Sequence, residues 1–180
     1  MFGKRSGQQP KPSELFRAPI ITDRLIIREA TRNDAKEIER SMDAADLVLG
    51  ERTVDGARRF DSGLAEVPVW SATRVVCEKG SLRVVGGVVL TEVEMHAGDS
   101  PRIGWWLESP AAAYGTEMVS AVDARLRAMG ADTVVMHLRT DDAAAIGVAE
   151  QTGFTRGAAV QHVTSSGRQI DFWEYTRTTG

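Results

Sequence analysis

The segment from Arg102 to Phe154 constrains the fold of this chain more than any other part of its sequence. A short apolar run over 102–108 is followed by small residues and then by apolar residues at helical spacing over 112–129, which predicts a strand leading into a helix. Alternation over 133–139 predicts a second strand, and 142–151 predicts a second, shorter helix. Strands that alternate with helices in this way indicate a sheet with helices packed on it.

The remaining segments predict further strands and helices around this frame. A first strand lies within Ile20–Glu29, and Thr31 with Asp34 forms a capping arrangement for a helix that follows. A weaker helical pattern covers Val54–Ala65, which contains two glycines. Turn residues separate the other predicted strands, which are Trp70–Glu78, Arg83–Glu94, Phe154–Val163 and Arg168–Arg177.

The order of these elements predicts the fold class. It is β-α-α-β-β-β-α-β-α-β-β, which indicates an α/β (α+β) fold with a mixed central sheet of about seven strands and helices on both faces. A chain of 180 residues with 42% hydrophobic and 26% charged residues is sufficient for one globular domain, which we place at 20–180. Residues 1–19 hold Gly, Gln, Pro, Lys and Ser with few apolar side chains, so we expect a mobile N-terminal arm.

Composition and charge narrow the classes of partner. The net charge of −3 gives no long-range attraction to nucleic acid or to an acidic membrane, and no apolar run reaches membrane-spanning length. The single Cys77 excludes an internal disulfide, and no pair among the three histidines has metal-ligand spacing, so we expect no metal. A lone thiol beside valines, and an N-terminus without a signal-like apolar segment, favour the cytoplasm.

Several short motifs, taken in order, resemble one known family. They are Thr22-Asp23-Arg24-Leu25-Ile26-Ile27-Arg28, Asp34-Ala35, Ile103-Gly104-Trp105-Trp106-Leu107, Tyr114-Gly115-Thr116-Glu117 and the run from Val148 to Phe154. Their order and spacing resemble the GNAT acetyltransferases, in particular the subgroup that includes ribosomal-protein N-terminal acetyltransferases. The resemblance implies the GNAT fold and the transfer of an acetyl or other acyl group from acyl-coenzyme A to a primary amine.

The resemblance also implies where acetyl-coenzyme A binds. Its pyrophosphate is expected at the turn before the long helix, where main-chain N–H groups and the helix dipole favour an anion. The glycine-containing loop of the family is replaced here by Pro110-Ala111-Ala112-Ala113, which is shorter by about two residues. The cofactor-binding residues that we assign are Trp106, Leu107, Ala111, Ala112, Ala113, Tyr114, Gly115, Thr116 and Asp142.

The catalytic positions depart from the family pattern. Arg102 stands where many members carry the Glu that acts as base, and a guanidinium does not accept a proton at neutral pH. Arg102 therefore either binds an acidic feature of the acceptor or forms a structural ion pair. Glu92 and Glu94 are the candidate bases, acting through water, unless they form a solvated strand end. Tyr114 is the candidate acid, unless it only packs against the sheet.

Two further positions bear on the acceptor and on the leaving group. Trp105 and Trp106 point to opposite sides of their strand, so one belongs to the core and the other, which we assign as Trp105, walls the acceptor cleft. In the second helix, Ala145 and Ala149 stand where the family usually has hydroxyl side chains that steady coenzyme A and return a proton to its thiolate.

The family-like motifs and the altered site positions together lead to two functional hypotheses. The first is an N-acyltransferase that uses acetyl-coenzyme A and acetylates a protein N-terminus, an amino acid or a small amine-bearing metabolite or antibiotic. The second is a non-catalytic GNAT-fold binding or regulatory module that has lost acetyl-coenzyme A binding, which the altered loop and catalytic positions favour. The partner is a small-molecule or peptide amine under the first hypothesis, and a homodimer through exposed sheet edges is compatible with both.

Overall fold

The computed structural model of the chain describes residues 18–44, 49–52, 57–60, 67–68, 73–91, 100–108, 113–163 and 169–178. The strands are β1 (Ile20–Ile21), β2 (Leu25–Glu29), β3 (Leu49–Arg52), β4 (Ala57–Phe60), β5 (Val67–Pro68), β6 (Thr73–Glu78), β7 (Val84–Thr91), β8 (Arg102–Leu107), β9 (Thr133–Arg139), β10 (Thr155–Val163) and β11 (Gln169–Thr178). The helices are α1 (Ala35–Ala44), α2 (Gly115–Ala128) and α3 (Ala143–Gln151). Residues 1–17 lie outside this description, so the arm over 1–19 stays a prediction.

Eight strands form one mixed sheet in the order β1-β2-β6-β7-β8-β9-β11-β10, and β3, β4 and β5 form a separate sheet. Every pair in the main sheet is antiparallel except β8 with β9, which is parallel. The predicted mixed sheet is confirmed, with eight strands where we expected about seven. The additional strand arises because the first predicted strand is a hairpin, in which Ile20 and Ile21 fold back onto Ile27 and Ile26.

The helix predicted over Val54–Ala65 is wrong in the part of it that the structure describes. Ala57–Phe60 is strand β4, which pairs with β3 on one side and β5 on the other. Gly56 and Gly63 leave only six residues between them, which is too short for a stable helix without tertiary support. Pairing between strands therefore decides the local structure.

Helices cover both faces of the main sheet, as predicted. One apolar cluster packs α2 and α3 against the sheet through Met118, Val122, Leu126, Ala145 and Ala149, all of which are buried. A second, smaller cluster on the opposite face joins Ile38 of α1 to Val75, Cys77, Val84, Val89 and Trp106. Cys77 is thus a buried structural thiol, and burial raises its pKa.

Two adjacent glycines of β7 let β8 lie close, with Gly87 opposite the Trp106 indole on the α1 face and Gly86 opposite Leu107 on the other face. A Cβ atom at Gly87 would lie 2.1 Å from Cη2 of the Trp106 ring, and one at Gly86 would lie 2.3 Å from the Trp106 carbonyl oxygen. Trp106 is 2% exposed, and its Nε1 donates a hydrogen bond of 3.0 Å to Ser41 Oγ of α1. The indole thus fixes α1 to the sheet by packing and by one buried hydrogen bond.

The predicted capping arrangement holds the 3₁₀ turn Arg32–Asp34, which leads directly into α1. The Asp34 carboxylate accepts hydrogen bonds of 2.8 Å from both the backbone N–H and the hydroxyl of Thr31. It also accepts two from the Arg28 guanidinium, at 2.8 and 2.9 Å. The cap is therefore joined to β2 as well as to the helix that it begins.

Candidate active site

The strands β8 and β9 part just after they meet, in the middle of the main sheet. Within these two strands, which the structure describes in full, one register pair joins them, Arg102 with Val135. Beside it, the Val135 N–H donates a hydrogen bond of 3.0 Å to the Pro101 carbonyl. On its other edge β8 pairs with β7 along its whole length, from Arg102 to Leu107. The described register of β8 against β9 therefore ends at the first residue of β8, and an extended polar ligand can lie against the edge of β8 beyond that point.

The N-terminus of α2 lies at the end of the connection that leaves the carboxyl end of β8. Its N-cap residue is Tyr114, which makes no side-chain capping hydrogen bond. The N-cap side chain therefore does not compete for the first-turn N–H groups, and the helix dipole favours an anion at this end. A Cβ at Gly115 would lie 2.7 Å from Val148 Cγ2, so the missing side chain lets α2 begin close to α3. Thr116 adds a hydrogen bond of 3.0 Å to Gln151 of α3.

Glu117 fixes the direction of this helix start. It accepts hydrogen bonds from the Thr22 hydroxyl at 2.5 Å, the Arg24 backbone N–H at 2.9 Å and Arg24 Nε at 2.6 Å. Burial alone would raise the pKa of Glu117, but these hydrogen bonds outweigh it and the pKa lies below its ordinary value. The contact joins two of the motifs that carry the family resemblance, and its residues are 93 and 95 apart in sequence.

Tyr114 lies under the same arginine. The Arg24 guanidinium carbon is 4.7 Å from the centroid of the Tyr114 ring, and the Tyr114 hydroxyl donates a hydrogen bond of 2.8 Å to Glu78. That hydrogen bond raises the pKa of Tyr114. These side chains line an open depression of about 440 Å³ together with Asp23, Lys79 and Gly80. The hydroxyl that we assigned as an acid is thus already committed to a carboxylate, and its catalytic role stays a prediction.

The four residues predicted on β8 divide between the two faces of the sheet. Trp105 and Leu107 lie on the α2 face, where Trp105 is half-buried against the main apolar cluster. Trp106 lies on the α1 face as a core residue, and its carbonyl oxygen faces β7, so its predicted contact with the cofactor stays a prediction. Arg102, also half-buried, stands at the pair with Val135 where the opening begins.

The start of α3 is capped as the sequence suggested, and its usual hydroxyl positions are apolar. Asp142 is the N-cap, and its Oδ1 accepts a hydrogen bond of 2.9 Å from the Ala145 N–H. Ala145 is 7% exposed and Ala149 is fully buried, so both belong to the core. Four other predicted site residues, Glu92, Glu94, Ala111 and Ala112, lie outside the described residues.

Two polar contacts beside the opening, those of Glu108 and His137, were not predicted. Glu108 is buried directly after β8 and binds Arg40 Nη1 at 2.8 Å and Arg83 Nη1 in a shorter contact. On β9, His137 Nε2 lies 3.5 Å from Glu174 Oε2 of β11. The partners in these three contacts are 68, 25 and 37 residues apart in sequence, so no local sequence pattern predicts the contacts. The one usable signal was that His137 alternates with the apolar residues of its strand, which places it on the opposite face.

The described part of the chain shows neither a metal centre nor a helix suited to crossing a membrane. It holds no group of three or more His, Cys, Asp or Glu side chains arranged to bind a metal ion. None of its helices has the length and apolar character needed to cross a membrane.

Comparison with known proteins identifies what this chain is similar to. Residues 24–155 match the family model described as an acetyltransferase (GNAT) domain. No curated protein sequence matches the chain. Among solved structures, the GNAT-family acetyltransferase from Bacillus anthracis is similar with a TM-score of 0.68 at 15% identity, over 89% of this chain and 98% of that one.

Two other solved structures have the same architecture. The ribosomal-protein-S5-alanine acetyltransferase from Vibrio fischeri has a TM-score of 0.67 at 12% identity, over 89% of this chain and 96% of that one. The microcin C7 self-immunity acetyltransferase MccE, solved with acetyl-CoA and AMP, has a TM-score of 0.63 at 15% identity, over 88% and 94%. At such identities the likeness shows the fold, and it confirms the fold that the motifs implied.

Proposed function

Because the chain belongs to the GNAT acetyltransferase family, whose model it matches over residues 24–155, we propose that it transfers the acetyl group of acetyl-coenzyme A to a primary amine. The reaction is direct attack of the amine on the thioester while both are bound. The observation that carries the proposal is the parting of β8 and β9, because an extended ligand can lie against the edge of β8 there, beside a helix start without a side-chain cap. Holding two reactants in line supplies much of the rate in such a transfer.

The cofactor lies along this opening in the proposed complex. Its pyrophosphate accepts hydrogen bonds from main-chain N–H groups over 111–115, and the extended arm pairs with the main chain of β8 at Leu107. Asp142 contributes only as the cap of α3, since its carboxylate already accepts from Ala145 and its charge does not favour a phosphate. Acetyl-CoA in the structure of MccE supports this choice of cofactor.

The acceptor is a primary amine, either the N-terminus of a peptide or a small molecule. The Vibrio fischeri structure is named for acetylation of an alanine in a ribosomal protein, and MccE is named for immunity to microcin C7. Half-buried Arg102 and Trp105 lie on opposite faces of β8 at the opening, where they contact the acceptor side of the complex in this proposal. Glu92, Glu94 and Tyr114 stay candidate proton-transfer groups, and the cytoplasm stays the proposed location.

Calorimetric titration with acetyl-coenzyme A and with free coenzyme A tests the binding step. We expect saturable binding of both by the folded chain, followed by acetylation of alanine- or serine-terminated peptides or small amines in a panel read by mass spectrometry. A folded sample that binds neither ligand at millimolar concentration refutes the proposal. That result supports the second hypothesis, a GNAT-fold module that has lost the cofactor.

A matched pair of variants locates the pyrophosphate. Ala112→Pro removes one main-chain N–H, whereas Ala112→Gly keeps it and relaxes the backbone. We expect at least a tenfold weaker affinity for coenzyme A in the first variant and little change in the second, with unchanged far-UV circular dichroism in both. Equal affinities would place the pyrophosphate elsewhere.

A further inference from the structure

His137 is a titratable side chain at the opening to which none of the roles above is assigned. It lies two residues beyond Val135, the one residue of β9 that pairs with β8. Paired residues of adjacent strands face the same side of a sheet, and side chains alternate along a strand. His137 is therefore on the face that carries Arg102 and Trp106, at the level where β9 has left β8. Its side chain is 5% exposed, so it is largely removed from bulk water.

A carboxylate on the next strand completes a pair with this histidine. Glu174 of β11 stands opposite His137 in the antiparallel register, and its Oε2 lies 3.5 Å from His137 Nε2. The Glu174 side chain is 37% exposed, so it connects the buried imidazole to solvent. A carboxylate at this distance stabilises an imidazolium when one forms, and it can pass the proton on.

We propose that His137 is the general base of the acetyl transfer and that Glu174 orients it and relays its proton to solvent. This inference rests on the proposed function. The histidine takes one proton from the protonated acceptor amine, directly or through one water, and the amine nitrogen then forms its bond to the thioester carbon. The carbon–sulfur bond breaks, the coenzyme A sulfur leaves with the electron pair, and the second nitrogen proton goes to that sulfur.

The position of Arg102 explains why the base would come from another strand. A guanidinium holds its proton at neutral pH, so Arg102 does not act as base from β8. The Arg102–Val135 pair brings β9 alongside β8 at this point, and His137 follows two residues later on the same face. The other charged groups on this face of β9 and β11 are Arg139, which stands opposite Phe172 in the register, and Glu174.

The test compares His137→Gln and Glu174→Gln with wild-type chain, using the acceptor found in the panel. For His137→Gln we expect kcat to fall by ~10²–10⁴-fold at neutral pH with the KM for acetyl-coenzyme A unchanged. The deficit should shrink as the pH rises toward the pKa of the free amine, and added imidazole should restore part of the rate. For Glu174→Gln we expect a smaller fall in kcat and a changed pH profile. Asp171→Asn removes a carboxylate from the same strand and should leave the rate unchanged.

The outcomes distinguish a failure of this inference from a failure of the proposed function. A wild-type chain that acetylates no amine overturns this inference and the proposed function together. A wild-type chain that transfers acetyl groups, with His137→Gln at the wild-type rate and pH profile, overturns this inference alone. If His137→Gln does not fold, as read by circular dichroism, Glu174→Gln decides, and a kcat and pH profile equal to those of wild type overturn the inference.

Discussion

The Asp34 carboxylate should contribute a measurable, pH-dependent share of the stability of this fold. Hydrogen bonds from Arg28, then from the backbone and hydroxyl of Thr31, outweigh its burial and hold the pKa of Asp34 at about 2, below the ordinary 3.8. The Asp34 side chain is 11% exposed and that of Arg28 is 35% exposed, so solvent screens the pair in part. At about 1.36 kcal/mol per pKa unit, the difference corresponds to roughly 2 kcal/mol of native-state stability at neutral pH.

The perturbation is Asp34→Asn, which keeps the shape and removes the charge. The pKa is lower in the folded state, so the stabilisation is fully present above pH 3.8 and is lost as the pH falls toward 2. We expect urea denaturation, followed by circular dichroism, to give a variant about 2 kcal/mol less stable than wild type at pH 7. The difference should decrease steadily between pH 4 and pH 2.

A matched substitution separates this effect from a general loss of negative charge. Asp171 is exposed on β11, where its Oδ1 accepts a hydrogen bond of 2.8 Å from Gln161. We expect Asp171→Asn to change the free energy of unfolding by less than about 0.5 kcal/mol, with little dependence on pH. A difference between Asp34→Asn and wild type that is equally large at pH 7 and pH 3 would refute the electrostatic argument.

Two further substitutions test the packing under α1 and the contact at the start of α2. Gly87→Ala should lower the free energy of unfolding by about 1–3 kcal/mol because its Cβ would meet the Trp106 ring, whereas Gly80→Ala, with no atom within 4 Å of its Cβ, should be near neutral in thermal denaturation. Glu117→Gln should weaken the contact with Arg24, lower the melting temperature and raise the KM for acetyl-coenzyme A; an unchanged KM would remove Glu117 from cofactor positioning.

Local patterns predicted the elements whose structure is decided locally. Alternation placed β9 at its observed bounds, Thr133–Arg139, and the capping residues Asp34 and Asp142 mark the starts of α1 and α3. Hydrogen bonds within three or four residues fix such starts, so they can be read from a short segment. The order of elements predicted a mixed sheet but not which strands are parallel, and the structure shows that β8 and β9 are.

Contacts between distant residues could not be predicted in this way. The strand β4 forms because β3 and β5 pair with it, and a window over Ala57–Phe60 contains no sign of either. The pairing of His137 with Glu174 depends on the register of β9 against β11, and a slip of one residue would put the two side chains on opposite faces. The identity of a residue, without the register of its strand, gave no reason to distinguish His137 from the other residues of β9.

The one-pair junction between β8 and β9 also divides the main sheet into two plates, one of β1, β2, β6, β7 and β8 and the other of β9, β11 and β10. Few backbone hydrogen bonds cross this line, so much of the connection between the plates is made by α2 and α3, which meet at Gly115 and Val148 and share a core beneath both plates. A sheet separates most easily where its ladder is shortest. The rigidity of the centre of the main sheet therefore depends on α2 and α3. A ligand that lies between the two plates would take the place of a strand there.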